Sequence, residues 1–346
     1  MKNLFFIFTI LMFLFKTENV LSNNSIFNVD NIEIDKSSYA NKNTLLNKAF
    51  KKGFIKLIDR ILLKKDAVAI SLTQISEIKT LVSYYQIKER NQNKKNTTIV
   101  NIFFDREKIN SFFYNKNISY ADISNSKLVL LPILVENENF YLFSDNYFYK
   151  NWNNLKLQES KYIEYILPIE NLESIELIKK NINNLENISA SKILFDYDIK
   201  NNIFLVINKK KKINIFIKGN ITDKEVVKNF YITTESSDNK KKNDEIITKI
   251  KKEIIEIIKS QNLIDVRTPS FLNVNLLIKK QDDLLKAQNI FNKIDLIEKF
   301  NVQELNKDKA KIKIKFYGKL EKISEKLLIE GIELLNTKNE WNIKII

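Results

Sequence analysis

The chain has 346 residues, 44% of them hydrophobic, and its 57 Lys and Arg against 42 Asp and Glu give a net charge of +15. It has no His and no Cys, which excludes Ser-His-Asp and Cys-His nucleophiles, ordinary zinc sites, disulfides and a lipid carried on a cysteine. Its 4 glycines stand too far apart for a phosphate-cradling loop or a dinucleotide fingerprint, so no cofactor is expected. Carboxylate chemistry, Ser-Lys chemistry and calcium binding remain open.

The chain begins like an export signal. Met1, Lys2 and Asn3 lead into an apolar run, Leu4 to Phe15, which closes at Lys16 and Glu18. Val20 and Ser22 stand three and one residues before Asn23, the small-residue pattern of a cleavage site. Residues 1–22 read as a cleaved secretory signal. The run is shorter than the roughly 20 apolar residues of a membrane span, and an uncleaved anchor to the inner membrane is the alternative. A Cys-free exported chain fits a bacterial periplasm, so a soluble periplasmic protein is expected.

A first unit is expected over residues 26–125. Phe27, Val29, Ile32 and Ile34 form a strand whose alternation slips between Val29 and Ile32, which predicts a bulge. Leu46, Ala49, Phe50, Phe54, Leu57, Ile58, Ile61 and Leu62 then recur at helical spacing, with Gly53 on the same face, where a neighbouring backbone could approach closely, a tolerated weak spot being the alternative. A second helix is expected over Gln74 to Val82. Strands follow from Tyr84 to Arg90 and from Thr98 to Phe104, and Asp105 can cap a short helix through Phe113.

A middle unit is expected over residues 126–265. Leu128 to Val135 is a continuous apolar run, the mark of a strand buried on both faces. Pro132 inside it cannot donate to a ladder and should face a bulge or an unpaired edge. An aromatic stretch with Phe140, Tyr141, Phe143, Tyr147, Phe148, Tyr149 and Trp152 comes next, then a helix from Leu172 to Leu185. Ile203 to Ile207 and Ile213 to Ile217 read as a hairpin, Val227 to Thr233 as a strand, Glu235 to Asn243 as a loop, and Asp244 as the start of a long helix.

A third unit is expected over residues 268–346. Leu272 to Ile278, Val302 to Leu305, Ile312 to Phe316 and Trp341 to Ile345 read as strands, with helices over Asp282 to Phe291 and around Leu320 to Leu328. That order is the split βαββαβ, ferredoxin-like arrangement. The fold class is therefore α+β: two or three small sheet-plus-helix domains, the last ferredoxin-like.

Candidate site residues are few. Asp196 and Asp198 would share one face of a strand, as paired carboxylates do in glycosidases and metal sites; two polar residues beside a turn are the plainer reading. Glu136 and Glu138 read as solvated, and Asp282-Asp283 as a helix start. Lys209 to Lys212 and Lys240 to Lys242 read as solvated loop tips, with contact to phospholipid or an acidic partner as the functional alternative. Phe140, Tyr141, Phe143, Tyr147, Tyr149 and Trp152 are the possible interaction surface, core packing being the competing use. Only Arg60, Arg90, Arg106 and Arg267 are arginine, and nucleic-acid sites lean on Arg, so no specific nucleic-acid partner is expected.

The order of residues resembles a proteobacterial exported family catalogued only as domain of unknown function family 2066. The likeness is carried by the opening strand and the helix with Ala49 and Phe50, by Phe104-Asp105, by Ile118-Ser-Tyr-Ala-Asp122, and by Leu128 to Pro132. Trp152, Tyr317-Gly318, Leu327, Gly331 and Trp341 complete it. The resemblance implies a bacterial envelope protein, with first units like those of periplasmic assembly factors, and it transfers no catalytic residues. A non-catalytic binding or scaffolding factor with an envelope protein as partner is expected. The alternatives are a carboxylate-dependent hydrolase of cell-wall or glycan polymer, and a protein held weakly at an anionic membrane surface by charge.

Overall fold

A computed structural model describes residues 25–35, 41–89, 97–123, 126–155, 157, 163–197, 199–210, 212–337 and 340–346. The signal segment, Asp198 and Lys211 lie outside the described residues. The class is α+β, with several small sheets each packed against helices.

In the first unit, β1 (Asn28–Asp35) leads into α1 (Lys42–Ile61), α2 (Lys64–Ile70) and α3 (Ile75–Leu81). Then come β2 (Val82–Glu89), β3 (Thr97–Phe104) and α4 (Arg106–Lys116), and the sheet order is β1-β3-β2. The expected slip is present: the β1–β3 register shifts between Val29 and Ile32. Asn31 sits there at φ 56, and its amide donates to Asn101 Oδ1 at 2.9 Å. The Asp105 side chain caps α4 by accepting from the Lys108 amide at 3.1 Å. Gly53 meets the far ends of Ile102 and Ile32, to which an added Cβ would lie 2.7 Å away. The close neighbour is thus the side-chain layer of the sheet and not a backbone, which corrects that expectation. Helix α2 is not foreseen in the sequence, because seven residues offer too few turns for a period to show.

The middle unit begins after β4 (Tyr120–Ala121) with β5 (Ser126–Glu136), β6 (Asn139–Tyr141), α5 (Tyr147–Asn151) and β7 (Ile163–Ile166). It continues through α6 (Leu172–Lys180), α7 (Ala190–Ile193), β8 (Asn202–Lys209), β9 (Ile213–Ile221), β10 (Lys224–Ile232) and α8 (Asn239–Gln261). The sheet runs β10-β9-β8-β5-β6, with β7 also on β5. The strand β5 is buried on both faces: Leu128, Leu130 and Leu134 enter one core cluster, and Val129, Leu131 and Ile133 enter another. Pro132 pairs with Leu205 of β8 on one side. On the other side β7 ends its pairing at Val129 and β6 begins at Leu134, so Pro132 faces a gap. The buried Asn146 fills it, donating to Pro132 O at 2.9 Å and Tyr141 O at 3.2 Å. The missing N–H of proline falls where no strand asks for it.

Two helix boundaries of this unit differ from expectation. Helix α6 ends at Lys180, because Asn181 leaves helical geometry (φ −119) and its side chain returns to Leu177 O. Helix α8 starts at Asn239, five residues before Asp244, so part of the expected loop is helix. Asp238 supplies the cap, accepting from the Lys241 amide at 2.8 Å. The run Lys240 to Lys242 therefore occupies a first helical turn, against the usual dipole preference.

After β11 (Leu263–Ile264), which pairs with β4, the third unit holds β12 (Ser270–Leu277), α9 (Asp283–Lys293), β13 (Ile297–Leu305) and β14 (Lys309–Phe316). It ends with α10 (Leu320–Ile329), β15 (Ile332–Thr337) and β16 (Glu340–Ile345). The sheet order is β13-β14-β12-β16-β15. The expected single closing strand is a hairpin, and β16 runs parallel to β12. The five-stranded mixed sheet, with a parallel β12–β16 pair and β15 at its edge, is therefore not the four-stranded antiparallel ferredoxin-like sheet that was expected. Glu333-Leu334-Leu335 breaks the alternation that would have revealed β15.

The units are tied together by buried polar contacts. One hydrophobic cluster runs through both the first and the third unit. Asp295 accepts from Ser25 Oγ (3.1 Å) and the Ile26 amide (3.2 Å), and burial raises its pKa above the usual carboxylate value. Helix α8 carries two buried lysines, Lys251 and Lys259. Lys259 Nζ donates to Asp59 O (2.6 Å) and Leu62 O (2.9 Å), the C-terminal carbonyls of α1, and to Glu256 (2.9 Å). Glu256 in turn accepts from the Lys64 amide (2.9 Å) at the start of α2. A cation meets the end of one helix and a carboxylate the start of the next, each at the favourable dipole end.

Lys251 Nζ donates to Trp152 O (2.7 Å) and Leu155 O (2.6 Å) and lies 5.4 Å and 5.0 Å from the Trp152 and Tyr165 ring centres. Burial lowers its pKa from 10.5 to about 8. Above that pH the folded chain releases this proton while the unfolded chain keeps it, so this group makes stability rise with pH up to the unfolded value. Tyr147, pushed up to about 12 by burial and its hydrogen bond to Asp244, works in the opposite sense above the ordinary tyrosine value of 10.0. Unfolding free energy from urea titrations should therefore increase between about pH 8 and pH 10 relative to a Lys251→Met variant. Parallel pH profiles of the two proteins would contradict this.

Candidate functional site

A cleft of about 590 Å³ opens between the middle and third units. Its middle-unit side is built by Lys127 of β5, the segment before β8, the β9–β10 turn and the end of α8. Asparagines fasten these loops to one another. Asn201 donates to Lys127 O (3.0 Å) and accepts from the Thr222 amide (2.9 Å), and Asn262 donates to Thr222 Oγ1 (3.3 Å). The tight β9–β10 turn places Thr222 and Asp223 at φ 53 and 60. Helix α10 supplies the opposite unit's contribution, and Gly318 leaves β14 at φ +88 beside Ile264.

The lining of the cleft mixes aliphatic and charged side chains. Ile264 and Leu296 are buried, whereas Leu263 is 42% and Ile329 58% exposed. The charges are mostly matched: Lys127–Glu164 at 3.7 Å, Lys200–Asp223 at 3.4 Å and Lys322–Glu325 at 3.3 Å. The buried Asp122 is held by Lys326 at 2.7 Å.

A second, wider groove of about 960 Å³ lies between α4 and the sheet of the third unit. Its charges are also spent internally. Arg267 grips Asp265 with Nε and Nη2, both at 2.7 Å, and holds that carboxyl below its usual range. Lys315 meets Glu298 at 2.9 Å, and Arg106 donates to Ile294 O at 3.0 Å.

A third feature is a strand edge. In the order β1-β3-β2, one edge of β2 has no paired strand among the described residues. Every residue from Ser83 to Lys88 is exposed, including Tyr84, Tyr85 and Ile87. Tyr84 stacks on Phe103 with ring centres 4.1 Å apart, and Tyr85 meets Phe50 edge-on at 5.4 Å. The outer strands β10 and β13 carry charges along their length, Lys224, Glu225 and Lys228 on the first and Glu298, Lys299 and Glu304 on the second. β2 carries charge only at its end, Lys88 and Glu89, so it lacks the usual guard against pairing.

The aromatic stretch is not an open surface, which corrects that expectation. Phe143 and Trp152 are buried, and Phe140, Tyr141, Tyr147 and Tyr149 are half-buried. The stretch wraps the gap edge of the sheet and feeds both faces. Tyr141, Tyr147 and Trp152 join the cluster under α8, and Phe140, Phe143 and Tyr149 the opposite one. Two of its three tyrosine hydroxyls are occupied, Tyr147 by Asp244 (2.8 Å) and Tyr149 by Pro168 O (2.7 Å).

Among the acidic candidates, Asp196 lies exposed in a turn, and Glu136 ends β5 with Lys209 at 3.8 Å. Asp283 is the first residue of α9, but its carboxyl accepts from the Lys279 and Lys280 amides of the preceding turn, both at 2.8 Å, and not from helix amides. Lys209 is not a solvated tip: it lies 5.4 Å from the Phe148 ring centre, and burial lowers its pKa. Among the described residues no three acidic groups cluster as cation ligands, and no helix is long and apolar enough to cross a membrane.

The cleft and the bare edge of β2 were not found from sequence. The cleft joins residues about two hundred positions apart, and the aromatics of β2 look like any half-buried strand. No family profile matches the chain, and no curated protein or solved structure is significantly similar to it.

Proposed function

We propose that the chain is a non-catalytic binding or scaffolding factor of the bacterial cell envelope, and that it takes a protein partner by strand addition along β2. The observation that carries this is the edge from Ser83 to Lys88, exposed and without a paired strand among the described residues. An extended segment laid there would gain a ladder of backbone hydrogen bonds, with Tyr84, Tyr85 and Ile87 as side-chain contacts. The envelope location rests on the signal-like residues 1–22 and on the resemblance of the residues quoted above.

Ile87→Lys tests it. A charge on an exposed edge opposes pairing, and Ile87 is 39% exposed, so the fold should persist. Pull-down from cross-linked envelope should recover a discrete partner with the parent chain and about tenfold less with the variant, corresponding to a loss near 1.4 kcal/mol. Equal recovery with both chains, or no partner with either, contradicts the proposal.

The membrane-surface reading is favoured by a separate observation. β14 presents Lys309, Lys311, Lys313 and Lys315 on one sheet face, with Lys313 4.8 Å from the ring centre of the exposed Phe271. Lys311 and Lys315 are paired with Glu304 and Glu298. The surplus is small, so any binding to anionic vesicles should fade within physiological salt.

A further inference from the structure

Leu263 and Ile329 are large aliphatic side chains left exposed within one concavity, over a floor of Ile264 and Leu296. They come from different units, and neither packs the junction it lines. Water held against such a lining is displaced favourably by an apolar ligand. The volume of about 590 Å³ is that of roughly twenty waters of bulk liquid and falls within the range of small-ligand pockets. Gly318 contributes no side chain to narrow it.

The charges define what the site does not ask of its ligand. Lys127, Lys200, Lys319 and Lys322 line the cleft together with Asp122, Asp223, Glu321 and Glu325, and Lys326 neutralises Asp122. Equal numbers of both signs give no net attraction for an anionic or a cationic group. The polar side chains of the wall are engaged in holding its loops together, as Asn201 and Asn262 show.

We propose that this cleft binds a single acyl chain, by apolar contact with Leu263 and Ile329, and leaves the head group in water at the charge-balanced rim. The proposal is independent of strand addition at β2, which lies in the first unit. The chain could come from a free fatty acid or from a membrane phospholipid.

Titration of the full chain with dansyl-undecanoic acid tests this. Saturable fluorescence enhancement is expected, displaced by hexadecanoate and by an uncharged hexadecyl ether to within about threefold of each other. Leu263→Asn and Ile329→Asn should each weaken binding about fivefold or more, while Leu285→Asn, at an exposed site on α9, should not. Circular dichroism checks that the three variants fold. Vesicles of phosphatidylethanolamine and phosphatidylglycerol separate the sources: displacement of the probe by vesicles assigns the chain to membrane lipid, and displacement by free fatty acid alone assigns it to the free pool. The proposal is overturned by non-saturable binding, by Leu263→Asn and Ile329→Asn variants that bind as the parent does, or by binding abolished in about 0.5 M salt, where charge attraction is screened.

Discussion

Gly219→Ala should lower the stability of the middle unit by about 3 kcal/mol or more, the upper range for forcing volume into a packed site. Gly219 lies on β9 opposite Ile203 of β8. A Cβ there would lie 2.0 Å from Asn202 O and 2.6 Å from Ile203 Cα, both backbone atoms that cannot swing aside. The ladder between the two strands would have to open, and β8 is the strand that joins this hairpin to β5. Gly53→Ala is the contrast. Its Cβ would meet only the ends of two isoleucine side chains, and alanine gains about 1 kcal/mol of helix propensity. A loss within about 1.5 kcal/mol is expected there. Urea unfolding followed by Trp152 fluorescence in a Trp341→Phe background reads Gly219→Ala in the middle unit, and hydrogen exchange over α1 reads Gly53→Ala in the first. Equal effects of the two substitutions would show that the backbone contact at Gly219 is not the constraint.

Lys259→Ala should cost about 3 kcal/mol and act mainly on the first unit, although Lys259 belongs to α8. Removing the ammonium leaves Asp59 O and Leu62 O without their donor, next to a Glu256 that has lost its counter-charge. Leu62 is buried, and an unsatisfied buried carbonyl costs about 1–3 kcal/mol. Glu256→Gln should cost only about 1 kcal/mol, since a side-chain oxygen remains to accept from the Lys64 amide. Hydrogen exchange over residues 57–66 is the readout. Protection there should fall roughly a hundredfold in the lysine variant, the factor that about 3 kcal/mol represents, and by about tenfold or less in the glutamine variant. Unchanged protection would mean that α8 does not clamp the α1–α2 corner.

Much of the fold was legible because its elements carry clean periods. The slip at Val29 to Ile32, the Asp105 cap, the doubly buried β5 and the hairpin of β8 and β9 all follow from spacing and residue type. Pro132 pointed to an unpaired edge, but nothing local named Asn146 as the group that fills it. Misread boundaries fall where the sequence is rich in Asn and Lys. There a cap such as Asp238 and a breaker such as Asn181 look alike until their partners are known.

The site was much less legible. The aromatic residues from Phe140 to Trp152 drew attention by density, yet density served two cores. Leu263 and Ile329 gave no signal, because exposure inside a cleft depends on how distant units meet. The buried roles of Lys251 and Lys259 were hidden by an abundance of ordinary surface lysine.

The central claim is that β2 is the docking edge. Site-specific photo-crosslinking in intact cells addresses it most directly, with benzoylphenylalanine in place of Gln86 on β2 and, as the control, in place of Asn229 on the outer strand β10. The account predicts one discrete protein adduct from position 86 in the envelope fraction, lost when Ile87→Lys is added, and none from position 229. No adduct from position 86, or the same adduct from both positions, would contradict it.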